Sequence, residues 1–406
     1  MLPIYCIITF LKRSEILSVT GIIAEFNPLH TGHGLLLKKA KESGTVVAVI
    51  SGNFVQRGDL AISEKRIRAK AALLNGADLV LELPVAYSMS TAQNFALGGV
   101  AALKAAGCDS LLFGSESGDT ADLTAACNIL RTREYSQKLN AYLSTGITFA
   151  SAREKAANDL GLKSGILSGA NNNLAVEYMT AAKNIGADFR FETIRRRGAG
   201  HDSPEASGGY ASASLLRERL LSGNREICKD YIPENVFPLL TPQNIADIRR
   251  IENAVLAVLR TRTLSELKAL PDISEGLENK LFSAIRVASS LNDLYNRIKV
   301  KRYTLARIRR LVLSAFIGLD STFFMKPPPY IRVLGFNENG MKLLKETAGN
   351  SEIPVVTRVS EIKNLPEPAG KLFETECRAT DLFSLALPKP APCGLEYTAK
   401  IIKTEC

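Results

Sequence analysis

Short β-branched, apolar runs alternate with helical segments through the first half of the chain, and this alternation limits the available folds more than any other feature. Val19–Ala24 reads as a buried strand, followed by a helix through Ser43 with apolar Leu35, Leu36 and Ala40. Thr45–Ile50 reads as a second strand, Glu64–Asn75 as a helix stopped by Gly76, and Asp78–Leu83 as a third strand closed by Pro84. Thr91–Ala106 is helical with Gly107 as its stop, Asp109–Phe113 is a fourth strand, and Ala187–Ile194 a fifth. Strands separated by helices predict a doubly wound parallel α/β sheet, Rossmann-like in outline. Such sheets take ligands outside the carboxyl ends of their strands, where the strand order reverses.

Those strand ends carry polar, glycine-containing loops: Glu25–His33, Ser51–Asp59, Gly114–Asp119 and Arg195–Asp202. Gly and Asp form turns in any protein, but four such loops on one sheet edge point to a polar ligand. The first holds two of the three histidines, in Glu25-Phe26-Asn27-Pro28-Leu29-His30-Thr31-Gly32-His33. They lie on a strand-to-helix turn, where backbone N–H groups and the helix dipole favour phosphate. Two imidazoles there can donate hydrogen bonds to a polyphosphate and stabilise charge as a bond to phosphorus breaks. Pro28 stiffens the entry and Gly32 permits close backbone approach. A simple capping role is the alternative. The H-x-G-H form after a first parallel strand resembles the signature of the nucleotidyltransferase superfamily.

At 406 residues, two or three domains are expected. The formal charge of +10 favours polyanionic partners. Seven scattered cysteines without a C-x-x-C pair read as reduced thiols of a cytosolic protein, with no zinc site. No apolar run is long enough to span a membrane, and no motif calls for an obligate protein partner. Met1–Phe10 is largely apolar with Lys12-Arg13 after it, the reverse of a secretory signal. Residues 1–18 are therefore expected to be an appended or mis-started leader, and 19–233 the nucleotidyltransferase-like domain. From Glu234 the pattern turns helical, giving a basic helical domain over 234–326. Pro327–Pro329 forms a stiff spacer before a small C-terminal α/β appendage, 327–406.

Several polar groups have the right chemistry for a nucleotide. Arg195, Arg196 and Arg197 follow the fifth strand, where a guanidinium clamps phosphate bidentately; a solvated charge run is the alternative, and His201 and Asp202 follow. Ser212 and Ser214 with Arg217 open a helix, as caps or as a second phosphate clamp. Asn171, Asn172 and Asn173 precede a helix from Leu174 to Asn184, as caps or as readers of adenine or ribose. Arg297–Arg310 holds seven basic residues, no acid and one aromatic. On a helical stretch it makes a cationic ridge for a phosphate backbone. Without clustered aromatics, structured RNA fits it better than a stacked single strand.

Beyond the superfamily signature, Gly21–His33, Ser51–Gly58, Gly76–Pro84 and Phe113–Glu116 resemble the bacterial tRNA(Met) cytidine acetate ligase family, and Arg302–Thr304 with Arg307–Arg310 resembles its helical RNA-binding part. The chain departs from the family pattern at Asn173–Leu174–Ala175 and at Gly200. The resemblance implies an ATP-dependent ligase that activates acetate as acetyl-adenylate and acetylates N4 of the wobble cytidine of elongator tRNA(Met). It implies ATP contacts from Ile23, Ala24, Glu25, Phe26, Asn27, Pro28, Leu29, His30, Thr31, Gly32, His33, Gly34, Leu35 and Leu36. Further contacts are implied from Gly114, one of Asn171 or Asn172, and Arg196, with Arg217 as an added clamp. His30 and His33 would act on the α-phosphate and the leaving pyrophosphate. Lys299, Lys301, Arg302, Arg307, Arg309 and Arg310 would hold the tRNA. Mg²⁺ is expected to accompany ATP, although no acidic metal ligand is identifiable. A metabolic adenylyltransferase, or a non-catalytic RNA-binding protein on the same fold, are the rival readings. The leader expectation has a direct check: a peptide covering Leu2 to Lys12 in mass mapping of the native protein would refute mis-starting.

Overall fold

The structure, a computed structural model, describes residues 18–196, 210–274, 276–300, 303–349 and 351–405. The leader up to residue 17, together with Arg197, His201, Asp202, Lys301 and Arg302, lies outside the described residues. The first half contains β1 (Ser18–Ala24), α1 (Thr31–Lys41), β2 (Gly44–Ser51), the hairpin of β3 (Phe54–Val55) and β4 (Asp59–Leu60), and α2 (Lys65–Leu74). It continues with β5 (Leu79–Leu83), α3 (Val85–Ser88), α4 (Ala92–Ala105), β6 (Ser110–Ser115), α5 (Thr120–Leu130), α6 (Arg133–Ser144) and α7 (Phe149–Asn158). Then come α8 (Ala170–Asn184), β7 (Arg190–Arg195) and α9 (Ala213–Leu221). All five strands predicted over residues 19–194 are present, with ends shifted by at most a few residues.

The sheet order is β10-β8-β5-β2-β1-β6-β7, with β9 beside β8. From β1 the chain moves outward through β2 and β5, then returns to β6 and β7 on the other side. The carboxyl ends of β1 and β6 therefore flank the point where strand order reverses. The alternation of side chains along β1 serves both faces. Ile22 joins a core with Leu37, Ala40 and Leu216, from α1 and α9, while Ile23 joins one with Phe95, Val100 and Val176, from α4 and α8. Each such buried aliphatic side chain contributes about 1.5–3 kcal/mol.

Past a run of 3-10 turns, the helical stretch consists of α10 (Glu252–Thr261), α11 (Leu264–Lys268), α12 (Leu277–Val287), α13 (Leu291–Ile298) and α14 (Leu305–Ile317). Its core includes Phe54 and Leu60 from the hairpin and Phe383 from near the chain's end. The last part holds β8 (Ile331–Phe336), α15 (Glu338–Thr347), β9 (Val355–Val356), α16 (Val359–Ile362), α17 (Glu367–Ser384), α18 (Leu395–Thr398) and β10 (Ile402–Lys403). These are α/β elements, as expected, but they do not form an appendage. β8 pairs antiparallel with β5, and β10 pairs with β8, so the C-terminal strands extend the central sheet. The β5 edge would otherwise present unpaired backbone groups. Close docking is built in: a Cβ at Gly340 of α15 would collide with the Asp78 carbonyl oxygen. The Asp78 carboxylate meanwhile accepts from Val46 N–H at 2.8 Å, Lys41 Nζ at 2.6 Å and Asn337 Nδ2 at 2.8 Å. Among the described residues the cysteines are free thiols, and no helix is long and apolar enough to cross a membrane.

A buried charge cluster ties the chain's end to α2. Lys65 Nζ lies 2.7 Å from Glu396 Oε1 and also pairs with Glu82. Arg66 reaches Glu396 Oε2 at 3.0 Å, and Arg332 pairs with the same carboxylate. Burial alone would raise the Glu396 pKa, but Lys65, Arg332 and Arg66 outweigh it and hold the carboxyl well below its ordinary range. Glu376, 3.8 Å from Lys65, is pushed the other way by burial and by neighbouring Glu82. Removing one member of a buried ion cluster strands its partners. Glu396→Ala is expected to lower stability by about 3–5 kcal/mol in urea unfolding. The depressed carboxyl contributes stability that is whole above its ordinary range and is lost as pH falls from there toward the folded value. The variant's stability should accordingly decline less steeply on acidification than the parent's.

Candidate active site

The backbone between β1 and α1 is held in an uncommon shape. Phe26 has φ +46°, a region that bulky residues rarely adopt. Arg68, fully buried on α2, keeps it in place. Its guanidinium donates to Glu25 O at 2.7 Å, Ser51 O at 2.9 Å, Ser63 O at 3.0 Å and also Gly52 O. It thus gathers carbonyls from the carboxyl ends of β1 and β2. Burial lowers the Arg68 pKa to about 10, so it stays cationic at neutral pH. Asn27 Oδ1 accepts from Ile62 N–H at 2.7 Å, and Arg217 Nη1 donates to Asn27 O at 2.8 Å.

His30 is the N-cap of α1. Its Nδ1 accepts from Gly32 N–H at 3.1 Å, while His33 Nδ1 accepts from His30 N–H at 3.4 Å. The two rings stack with centroids 3.9 Å apart, and Phe26 sits edge-on to His33 at 5.1 Å. Capping and function are therefore not alternatives here. An Nδ1 that accepts a backbone N–H fixes the neutral tautomer with its proton on Nε2. Each ring then carries an N–H donor suited to a phosphate oxygen at a helix N-terminus.

A cavity of about 740 Å³ opens at the strand-order reversal. All four predicted loops reach it: His30 and His33 from the first, Gln56 and Arg57 from the second, Gly114 from the third, Arg195 and Arg196 from the fourth. Of the residues expected to contact ATP, Ile23, Ala24, Glu25, Phe26, Asn27, Gly32, Leu35, Leu36, Asn171 and Arg217 also line it. Pro28, Leu29, Thr31, Gly34 and Asn172 do not. Leu29 is buried in the sheet core instead.

Asn171 and Asn172 form a reciprocal clamp with the Glu116 loop. Asn172 is buried, and its Oδ1 accepts from Glu116 N–H at 2.9 Å and Ser117 N–H at 3.2 Å. The Glu116 carboxylate accepts in return from Asn171 Nδ2 at 2.7 Å, Asn172 N–H at 2.7 Å and Asn171 N–H at 3.0 Å. Burial would raise the Glu116 pKa, but these hydrogen bonds from Asn171 and Asn172 outweigh it and hold the carboxyl low. Both asparagines thus fix the loop, and Asn171 also lines the cavity, where its Oδ1 accepts from Arg196 Nη1 at 3.3 Å. All three asparagines lie in the first turn of α8, not before it.

The basic segment 297–310 is not one continuous helical ridge. α13 ends at Ile298, and α14 restarts with Thr304 as its cap. The segment has no acid of its own, but acids from elsewhere answer it. Arg297 pairs with Asp293 at 2.8 Å. Arg307 donates to Asp272 O at 2.7 Å and Ser274 Oγ at 2.7 Å. Arg310 is largely buried, donating to Gln56 O at 3.2 Å and pairing with Asp272 at 3.2 Å, so it braces the hairpin and is not an open phosphate contact. Lys299 is exposed and Arg309 half-buried.

Several lining residues carry no sequence signal of function. Phe95, Phe113 and Tyr178 read as core, and they are core residues whose outer edges floor the cavity. Lys38 and Lys39 read as ordinary exposed helix cations. Arg68 reads the same way, and only its burial reveals its task. Among the described residues no group of three or more His, Cys, Asp or Glu side chains could hold a metal.

Known proteins share both sequence and architecture with the chain. The HIGH nucleotidyl transferase family model matches residues 17–395. A tRNA(Met) cytidine acetate ligase of Thermoanaerobacter sp. (strain X514) is 38% identical, covering 95% of this chain and 100% of its own. The chain belongs to this ligase family. A second relative of that name, from Clostridium novyi (strain NT), is 36% identical over 91% of this chain and 95% of its own. The crystal structure of Thermotoga maritima TmcAL in its apo form superposes with a TM-score of 0.89 at 30% identity, covering 96% of this chain and 100% of that one. A second crystal form of that protein, bound with alpha-thio ATP, gives 0.87 at 29% identity, covering 96% of this chain and 100% of that one. Asn171→Ala should weaken ATP binding in a titration and cost about 0.5–1.5 kcal/mol in thermal unfolding through its lost Glu116 hydrogen bond. Asn172→Ala should instead cost about 1–3 kcal/mol of stability through the orphaned Glu116 and Ser117 amides.

Proposed function

We propose that the chain uses ATP to activate acetate as acetyl-adenylate and then acetylates N4 of the wobble cytidine of elongator tRNA(Met). The observation that carries this reading is the stacked His30–His33 pair, set at a helix N-terminus on the rim of a nucleotide-sized cavity, in a chain of the tRNA(Met) cytidine acetate ligase family. An acetate oxygen attacks the α-phosphorus, the bond to the bridging oxygen breaks, and pyrophosphate leaves. The cytidine N4 then attacks the acetyl carbon, AMP departs, and N4 gives up a proton. Neither step needs a protein nucleophile, so catalysis is alignment and charge stabilisation.

His30 and His33 donate from Nε2 to the α-phosphate and the leaving pyrophosphate. Arg196 and Arg217 add guanidinium donors, and Asn171 meets the nucleoside. Mg²⁺ would arrive with ATP and be held mainly by its phosphates, as hard cations in such sites are. Of the described residues expected to hold the tRNA, Lys299 is the exposed cation open to the RNA backbone. The wide basic excess and the free thiols suit a cytoplasmic enzyme.

The test is incorporation of labelled acetate into elongator tRNA(Met), with and without ATP, followed by nucleoside mass spectrometry. ATP-dependent N4-acetylcytidine at the wobble position is expected. ATP turnover on a small phosphorylated substrate without tRNA acetylation would favour a metabolic adenylyltransferase. His33→Ala should lose about 10²–10³ in turnover, the usual cost of one charge-stabilising donor, while gel-shift binding of tRNA is retained. Unchanged turnover would remove His33 from the mechanism.

A further inference from the structure

A second cavity, of about 200 Å³, lies where the β3–β4 hairpin meets the helical stretch, and it shares no lining residue with the nucleotide cavity. Asp59 from the hairpin, Glu252 from α10, Asn292 and Tyr295 from α13, and Arg309 from α14 line it, with Arg249 at its rim. The Arg309 guanidinium lies over the Tyr295 ring, 5.6 Å from its centroid. Among the described residues it has no hydrogen-bonded or ion-paired partner. The Asp59 carboxylate accepts one hydrogen bond, from Leu60 N–H at 2.8 Å. A carboxylate acceptor and a guanidinium fork thus face one small space without pairing with each other. Both groups are partly open to solvent, so a ligand with donors on one edge and acceptors on another can replace water on each. Burial pushes the Asp59 carboxyl up, against the Leu60 N–H and the pull of Arg309. Glu252 differs, since its Oε2 already accepts from Leu291 N–H at 2.9 Å.

A nucleobase is the planar body that meets these demands: amino or imino donors for a carboxylate, carbonyl or ring-nitrogen acceptors for a guanidinium. Stacking on a guanidinium plane is a common way to hold an unstacked RNA base. Position supports it as well. Gln56 and Arg57 line the nucleotide cavity, and the next two residues, Gly58 and Asp59, line this one. Three residues span at most ~10 Å, within reach of neighbouring nucleotides, which lie about 3.4 Å apart when stacked and separate further when splayed. The hairpin holds the two cavities in register. Gly58 has φ +71°, and a Cβ there would clash with the backbone of Arg309 and Arg310.

We propose that this cavity takes an unstacked base from a nucleotide flanking the acetylated cytidine, with Asp59 accepting from its amino or imino edge and Arg309 donating to its acceptor edge. The proposal rests on the RNA-acetylating reading above. The experiment compares the full-length protein with Asp59→Asn and Arg309→Lys, using tRNA(Met) transcripts that are intact or carry one abasic nucleotide on either side of the wobble cytidine. Acetate-dependent ATP–pyrophosphate exchange should stay within about twofold in both variants, while the KM for intact tRNA rises about ten- to hundredfold. One abasic transcript should impose a similar loss on the unaltered protein, and the variants should lose little more on it. An unchanged KM in both variants, or losses that multiply with each abasic transcript, would overturn the proposal. If Asp59→Asn loses pyrophosphate exchange through misfolding, Arg309→Lys decides by the same comparison. Absence of ATP-dependent RNA acetylation by the unaltered protein would overturn the underlying reading together with this one.

Discussion

The site depends on a single buried cation that serves backbone and not ligand. Where β1 and β2 stop, their last carbonyls have left the sheet ladder and point into a place that water should not fill. Arg68 answers three of them, and the Ser63 carbonyl besides, with one rigid fork. A lysine has no planar fork with which to do this. The carbonyls in turn solvate the charge, so the guanidinium remains protonated although no carboxylate pairs with it. The unusual backbone at Phe26 then becomes sustainable, and with it the angle at which α1 presents His30 and His33. Strain of this kind persists where surrounding contacts over-determine it, and here four hydrogen bonds do so.

The excess of positive charge divides into three populations that composition cannot separate. Lys65, Arg66 and Arg332 are spent inside, on Glu82 and Glu396. Arg310 and Arg307 fasten the helical stretch to Asp272 and to the hairpin. A third set, Arg196, Arg217 and Arg309, faces one of the two cavities. A net charge of +10 therefore overstates the cationic surface in some places and understates its focus in others.

The sheet was legible because its strands are short, β-branched and punctuated by Gly and Pro, as buried parallel strands must be. The histidine turn was legible because its residues are consecutive. What escaped was whatever depends on distant partners. β8 reads as a strand, but nothing local says that it pairs with β5, some 250 residues earlier. Glu396 sits in a tail without evident features, and its significance arises only when Lys65, Arg66 and Arg332 converge on it. Asn171 and Asn172 are chemically identical, and only the fold shows that Asn172 takes the Glu116 and Ser117 amides while Asn171 holds the Glu116 carboxylate at the cavity. The acid-free run at 297–310 was legible as basic, but its counter-ions are recruited from Asp272 and from the preceding turn of α13.

The antiparallel β5–β8 pairing also has a temporal meaning. A chain emerging from the ribosome completes β1, β2, β5, β6 and β7 well before β8 exists. Throughout that interval β5 offers an open, largely apolar edge, the kind that recruits strands from other chains. The two halves of the ion cluster are likewise separated by about 330 positions, with Arg66 waiting for Glu396. High contact order of this sort slows the final closure of a fold. β8 covers the β5 edge, and the last dozen residues, through Glu396 and β10, then latch β8 in place.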